Sequence, residues 1–294
     1  MTYFADRLIE GVRDLGPLCV GIDPHPGRIP GHFGGDTPDG IARWGCAVVE
    51  AATGRAAVVK PQVGLFERHG PAGLAALREV CRAGTDAGLL VIVDAKRGDI
   101  GSTAEGYAAA YLAADAPFPC DAVTVNPYMG LDTLAPFLRV AEANGRGVAV
   151  LARTSNPGAA DFQDIEVEGV PVYARVAGEL ARLGKGLTGR YGWSGLMLVV
   201  GATAPAEAEA IRTLAQNNLF LVPGYGTQGG AAEAALASFV NGPRGLEGGI
   251  VNASRAVTFP DAAQVARDRA GWFQAVAEAI DAAQADLKTV VDAT

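Results

Sequence analysis

The sequence predicts a (β/α)8 TIM barrel of the α/β class, eight parallel strands alternating with helices and closing on themselves. Eight short runs rich in Val, Ile and Leu recur along the 294 residues, each leading into a helix-forming, often Ala-rich stretch. These runs are continuously apolar rather than alternating, as strands are when both of their faces are covered. No linker or shift of composition divides the chain, so residues 1–294 read as one domain. An open doubly wound sheet is the competing architecture, but it uses fewer strands and breaks the repeat.

The chain opens with "MTYFADRLIEGVRDLG", an amphipathic helix pattern carrying acids and unlike a signal peptide. Strands then follow in "LCVGID" to Asp23, "AAVVK" to Lys60, "LLVIVD" to Asp94 and "DAVTVN" to Asn126. The second half repeats the theme in "GVAVLAR" to Arg153, "LMLVVG" to Gly201, "LFLVP" to Pro223 and "GGIVNAS" to Asn252. Stretches such as "PAGLAALREVCRAGTDAG" and "PAEAEAIRTLAQNN" supply helices between them. Two connections are long, "PHPGRIPGHFGGDTPDG" and the segment around the fifth helix that begins "NPGAADFQDIEVEGV". Both read as decorations of the barrel, where loops often carry binding residues.

Composition narrows the function. Hydrophobic residues at 49% and charged residues at 19% describe a globular chain. A net charge of -8 excludes general attraction to nucleic acid or anionic membrane, while permitting a local basic pocket for one anionic ligand. No apolar run is long enough to span a bilayer. Cys19, Cys46, Cys81 and Cys120 show no CxxC spacing and read as reduced, buried thiols. A soluble, cytoplasmic protein without nucleic-acid or membrane partners is expected.

Polar residues gather at the strand ends: Asp23, Lys60, Asp94 with Lys96, Asn126, Ser155, Gln228 and Arg255. In a barrel these ends converge on one mouth, where active sites are built. Singly, Asp23 and the Ser155–Asn156 pair are also ordinary turn formers. Arginine outnumbers lysine 20 to 4, yet lysine closes two apolar runs, at Lys60 and Lys96. A surface role does not separate the two residue types, whereas a proton donor must be lysine, since arginine does not deprotonate. In "VIVDAKRGDIGST" the strand runs into Asp94-x-Lys96-x-x-Asp99, and Ser102 with Glu105 has the spacing of a capping box for the next helix. Alternating charges of this kind keep Lys96 protonated and positioned.

"PGYGTQGG" (223–230) contains GxGxxG between a strand and a helix, a weak dinucleotide signal this late in a chain. Loops after the seventh and eighth strands of a barrel more often make a monophosphate site. There glycine backbone N–H groups meet the anion, and Arg255 of "NASRA" offers a bidentate contact.

"DAKRGDIGST" resembles the signature of the orotidine 5'-monophosphate decarboxylase family, in its longer bacterial branch. "GIDP", "VVKPQVGLFERHG", "TVNPYMG", "RTSNPG", "VPGYGTQGG" and "NASRA" match in the same order along nearly the whole chain. The resemblance implies decarboxylation to UMP by a homodimer with shared sites, using no metal or cofactor. It implies a charged tetrad of Lys60, Asp94, Lys96 and Asp99, with Asp99 reaching the partner's site and Ile100 and Thr103 following it across the interface. By the same resemblance Asp23 holds ribose hydroxyls, Ser155 the pyrimidine, and Gln228 with Arg255 the phosphate; Pro223 and Ser254 complete the substrate-binding set. Where the family's loop often carries a small residue or Val, this chain has Tyr225, a departure that bears on the packing of that loop.

The implied chemistry leaves an electron pair on C6 in an orbital with no ring sink. Preorganised charge must stabilise it, and Lys96 is the natural partner and proton donor. Two other readings stay open: a Mg²⁺-dependent sugar-phosphate decarboxylase or aldolase sharing the D-x-K-x-x-D pattern, and a nucleotide-sensing barrel that kept the phosphate site. "TSNPG" with the glycine loop speaks against the first, and retention of both lysines against the second.

Overall fold

The computed structural model describes residues 2–203, 205–226 and 231–292. Eight strands form the barrel: β1 (Leu18–Ile22), β2 (Val58–Pro61), β3 (Leu90–Arg97), β4 (Ala122–Val125), β5 (Gly147–Arg153), β6 (Ser194–Val200), β7 (Asn218–Pro223) and β8 (Gly249–Ala253). They close in chain order, all parallel, with β8 returning to β1 where Cys19 faces Asn252. The predicted (β/α)8 barrel is the observed one.

The continuous apolar runs now have a cause. Outward side chains such as Val20, Val59, Val93 and Leu198 pack under the helices in one cluster. Inward ones, among them Val58, Ile92, Ala149, Met197 and Ile250, form a second cluster. Phe4, Leu8 and Ile9 of the N-terminal helix (Phe4–Leu15) join that inner cluster and plug the end where the strands begin. Each such fully buried side chain contributes about 1.5–3 kcal/mol. Gly147 makes the plug possible, because a Cβ there would lie 2.4 Å from the Phe4 ring. Polar atoms lock the same end: Arg7 and Arg146 donate to Asp121 Oδ1 at 2.7 and 3.0 Å, and Val91 N donates to its Oδ2 at 2.9 Å.

Three features depart from the sequence reading. Short hairpins, Glu166–Val167 with Val170–Pro171 and Val240–Gly242 with Gly245–Glu247, interrupt two connections. Strand β3 continues past Asp94 to Arg97, through a break of register against β4 between Val93 and Arg97. The capping box does not form. Helix Gly101–Leu112 starts with Ile100 at its N-cap, placing Ser102 inside the first turn, and Glu105 turns away to Arg139 at 2.8 Å. Asp99 Oδ1 instead receives Ile100 N at 2.8 Å, and the helix begins two residues earlier than the spacing suggested.

Candidate active site

A cavity of about 610 Å³ opens at the C-terminal ends of the strands. Its wall changes character around the barrel. From β8 through β1 to β4 it is polar, with Asn252, Asp23, Lys60, Gln62, Asp94, Lys96 and Thr124. Across β5, β6 and β7 it presents Leu151, Val199 and Leu221. Strand alternation sends every second side chain inward, so each wall position follows from the period of two.

Asp94 is the hub of the polar wall. Its Oδ2 accepts from Lys60 Nζ at 2.9 Å and Gln62 Nε2 at 3.0 Å. Its Oδ1 accepts from Lys96 Nζ at 2.5 Å and Thr124 Oγ1 at 2.9 Å. Four donors fill the sites a carboxylate offers. Burial alone would raise the Asp94 pKa, but Lys60 and Lys96 outweigh it and hold the carboxyl well below the usual range. Burial would likewise discharge Lys60, yet Asp94 and Asp23 push its pKa upward on balance. The two lysines differ in access: the Lys60 side chain is 5% exposed and that of Lys96 45%. Lys60 anchors the array from within; Lys96 presents its ammonium to the cavity.

Backbone geometry aims Lys96. Its φ is +46°, a left-handed conformation uncommon for a residue with a side chain. The residue sits inside the register break of β3, and its N–H donates to Thr124 Oγ1 at 2.8 Å.

On the β1 and β8 side, Asp23 Oδ1 and Asn252 Oδ1 are buried without a hydrogen-bond partner among the described residues. Both residues line the cavity, so each brings an acceptor suited to a ligand's hydroxyl or N–H. Ser254 approaches β1 closely: a Cβ on Gly21 would lie 1.9 Å from its Oγ. Arg255 is exposed at the rim near His25, whose pKa falls through burial and the nearby Arg255 and Arg28, against the pull of Asp23. Ser155 and Pro223 line the cavity from the loop after β5 and the end of β7. Tyr225, also in the lining, donates its hydroxyl to Asp286 Oδ2 at 2.6 Å and ties this rim to the C-terminal helix (Arg269–Asp292). Among the described residues, no group of three or more His, Cys, Asp or Glu side chains gathers as a metal-ligand set.

Comparison with known proteins adds the family. Residues 16–268 match the model of the orotidine 5'-phosphate decarboxylase / HUMPS family. The chain belongs to this family. An orotidine 5'-phosphate decarboxylase of Rhodopirellula baltica is 38% identical over 293 residues, covering 94% of this chain and 96% of the relative. That of Salinispora tropica is 46% identical over 235 residues, covering 79% and 82%. Among solved structures, the Leishmania donovani OMP decarboxylase superposes with a TM-score of 0.74 at 33% identity, over 97% of this chain and 99% of that one.

Of the site residues expected from the family resemblance, Asp23, Lys60, Asp94, Lys96, Ser155, Pro223, Ser254 and Arg255 line one cavity. Gln228 lies outside the described residues. Asp99, Ile100 and Thr103 are absent from the lining, and Ile100 is 62% exposed. Asn126, expected at the mouth, is not in the lining either: its Oδ1 accepts from Tyr128 N at 3.0 Å and shapes a turn. The inward polar residue of β4 is Thr124, two positions earlier. Gln62, Thr124 and Asn252 were missed at the sequence level, although each is a polar residue spaced by two from another inward position or set within an apolar strand.

Proposed function

We propose that this chain, acting over residues 1–294 as one domain, converts orotidine 5'-monophosphate to UMP and CO2 without metal or cofactor. The observation that carries the reading is the Lys60–Asp94–Lys96 array in the cavity wall of a chain whose relatives bear the decarboxylase name. The bond from C6 to the carboxylate breaks, CO2 leaves, and the electron pair stays on C6. The Lys96 ammonium stabilises that charge and then gives C6 a proton, regaining one from water. Asp94, held ionised, sits beside the substrate carboxylate, and Lys60 keeps it in place.

Binding is divided around the mouth. Asp23 accepts from ribose hydroxyls, which suits its unpartnered oxygen. Ser155 addresses the pyrimidine. Arg255 and Gln228 take the phosphate, with Pro223 and Ser254 beside them, and that remote grip orients the ring. The working unit is a cytoplasmic homodimer, in which Asp99 completes the tetrad of the neighbouring site and Ile100 and Thr103 follow it. Support comes from the exposed apolar side chains on that side of the barrel: Ile100 at 62%, Tyr128 at 84% and Met129 at 47%.

The test is the fall in orotidine 5'-monophosphate absorbance when purified protein is added, with and without EDTA. Equal turnover in both is expected. A silent assay overturns the reading, and activity lost to EDTA but restored by Mg²⁺ transfers it to a metal-dependent sugar-phosphate reaction.

A further inference from the structure

The acid array contains a neutral member that the chemistry above does not use. Thr124 is 1% exposed, so bulk water has no access to replace its hydroxyl. That hydroxyl works in both directions, donating to Asp94 Oδ1 at 2.9 Å and accepting from Lys96 N at 2.8 Å. A hydroxyl has one proton to donate, and here the proton is committed to the carboxylate. Its lone pair is left for the Lys96 amide. The amide needs such an acceptor, because the β3–β4 ladder is broken between Val93 and Arg97. Lys96 itself holds φ +46°, a conformation that persists only where its surroundings enforce it.

We infer that Thr124 is a positioning residue for the reaction, its hydroxyl tying the Lys96 backbone to the Asp94 carboxylate so that the ammonium stays aimed at the reacting carbon. The inference rests on the decarboxylase reading above. Although Thr124 lines the cavity, both bonds of its hydroxyl go to Lys96 and Asp94, so it acts through them. Valine would preserve its shape and remove both bonds, whereas serine would keep them.

Thr124→Val, Thr124→Ser and Lys96→Ala are compared with wild type for kcat and KM, and exchange of the Lys96 amide hydrogen is followed by NMR. Thr124→Val should lose about 100-fold in kcat with KM changed by less than about threefold, as expected when a reacting group is displaced by about 1 Å. Thr124→Ser should recover kcat to within about fivefold of wild type, since it restores the same positioning. The Lys96 amide should exchange at least about tenfold faster in Thr124→Val, one hydrogen bond being worth about that factor. A Thr124→Val kcat within about threefold of wild type overturns the inference, since displacement of the lysine should cost far more. A serine variant as impaired as the valine variant overturns it too. If wild type is inactive, the decarboxylase reading has failed instead, and unchanged amide exchange in Thr124→Val then overturns the tie by itself. Should the valine variant not fold, Thr124→Ala carries the same comparison.

Discussion

The two halves of the mouth solve different problems with the same strands. On the polar half, Lys60, Gln62, Asp94, Lys96 and Thr124 are cross-linked by bonds of 2.5–3.0 Å, so each side chain is held by another. On the apolar half, Leu151, Val199 and Leu221 hold their places by packing alone. A bonded wall fixes charge direction, which the carbanion of the proposed reaction would need. An aliphatic wall offers a flat ring a surface that makes no demand on its polar edges. If the proposed reaction holds, preorganisation is concentrated where charge changes, and substitutions should divide along the same line.

The sharpest break of that division is Lys96→Ala. It should abolish turnover by several orders of magnitude while the protein stays folded and still binds UMP, because the proposed reaction makes the lost group both electrostatic partner and proton source. Turnover within tenfold of wild type would remove Lys96 from its role. Mixing extends the test to the dimer. Lys96→Ala and Asp99→Ala chains, refolded together, should regain about a quarter of wild-type activity if sites are shared across a two-fold axis. A flat baseline in verified hybrids refutes sharing.

Next in size is Asp94→Asn, which strips the hub of its charge. Breaking one side of a buried ion pair costs about 3–5 kcal/mol, and a chemical denaturation curve should show it. The pH dependence follows from the signs. The depressed Asp94 carboxyl contributes stability that is present above its unfolded pKa of about 4 and fades as pH falls through the lower folded value. Lys60, shifted upward, contributes stability that is complete below its unfolded pKa of about 10.4 and is lost as pH rises through the higher folded value. Wild type should therefore lose more stability than Asp94→Asn when taken from neutral pH into strong acid. Parallel curves would mean that Asp94 titrates as it does in the unfolded chain.

Arg255→Ala acts at the rim, beyond the bonded array. It should weaken substrate binding by about 2–5 kcal/mol if the guanidinium pairs a desolvated phosphate. Orotidine without phosphate should hardly respond to the change. An equal loss for both substrates denies Arg255 the phosphate. Smallest for chemistry is Leu221→Ala in the apolar half. It should cost about 2–5 kcal/mol of stability through the cavity it leaves, yet keep kcat within about tenfold of wild type. A far larger fall in kcat would show that the aliphatic wall also steers the reaction.

Much of this was legible in the sequence because a barrel repeats one rule. Strand ends expected at Asp23, Lys60, Asn126 and Gly201 fall within one residue of the observed Ile22, Pro61, Val125 and Val200. The exception is β3, which runs on to Arg97, since polar residues at a register break do not look like strand. Site residues were found where they close an apolar run and missed where they sit inside one. Thr124 in "AVTV" was hidden by its apolar neighbours and Asn126 took its place, while Asn252 served only to mark the end of the eighth strand. Ser102 and Glu105 had the right spacing for a cap, but the helix starts two residues earlier, with Ile100 as N-cap just after the Asp99 Oδ1–Ile100 N bond. Two-residue strands such as Glu166–Val167 are too short to show any period at all.

The plug of Phe4, Leu8 and Ile9 makes the barrel a cup and not a pipe. Whatever enters must leave by the rim it came in through, so traffic in both directions shares one doorway. Under the proposed reaction, CO2 and UMP both leave through that one opening. The slower of them to leave then sets how soon the doorway is free for the next arrival.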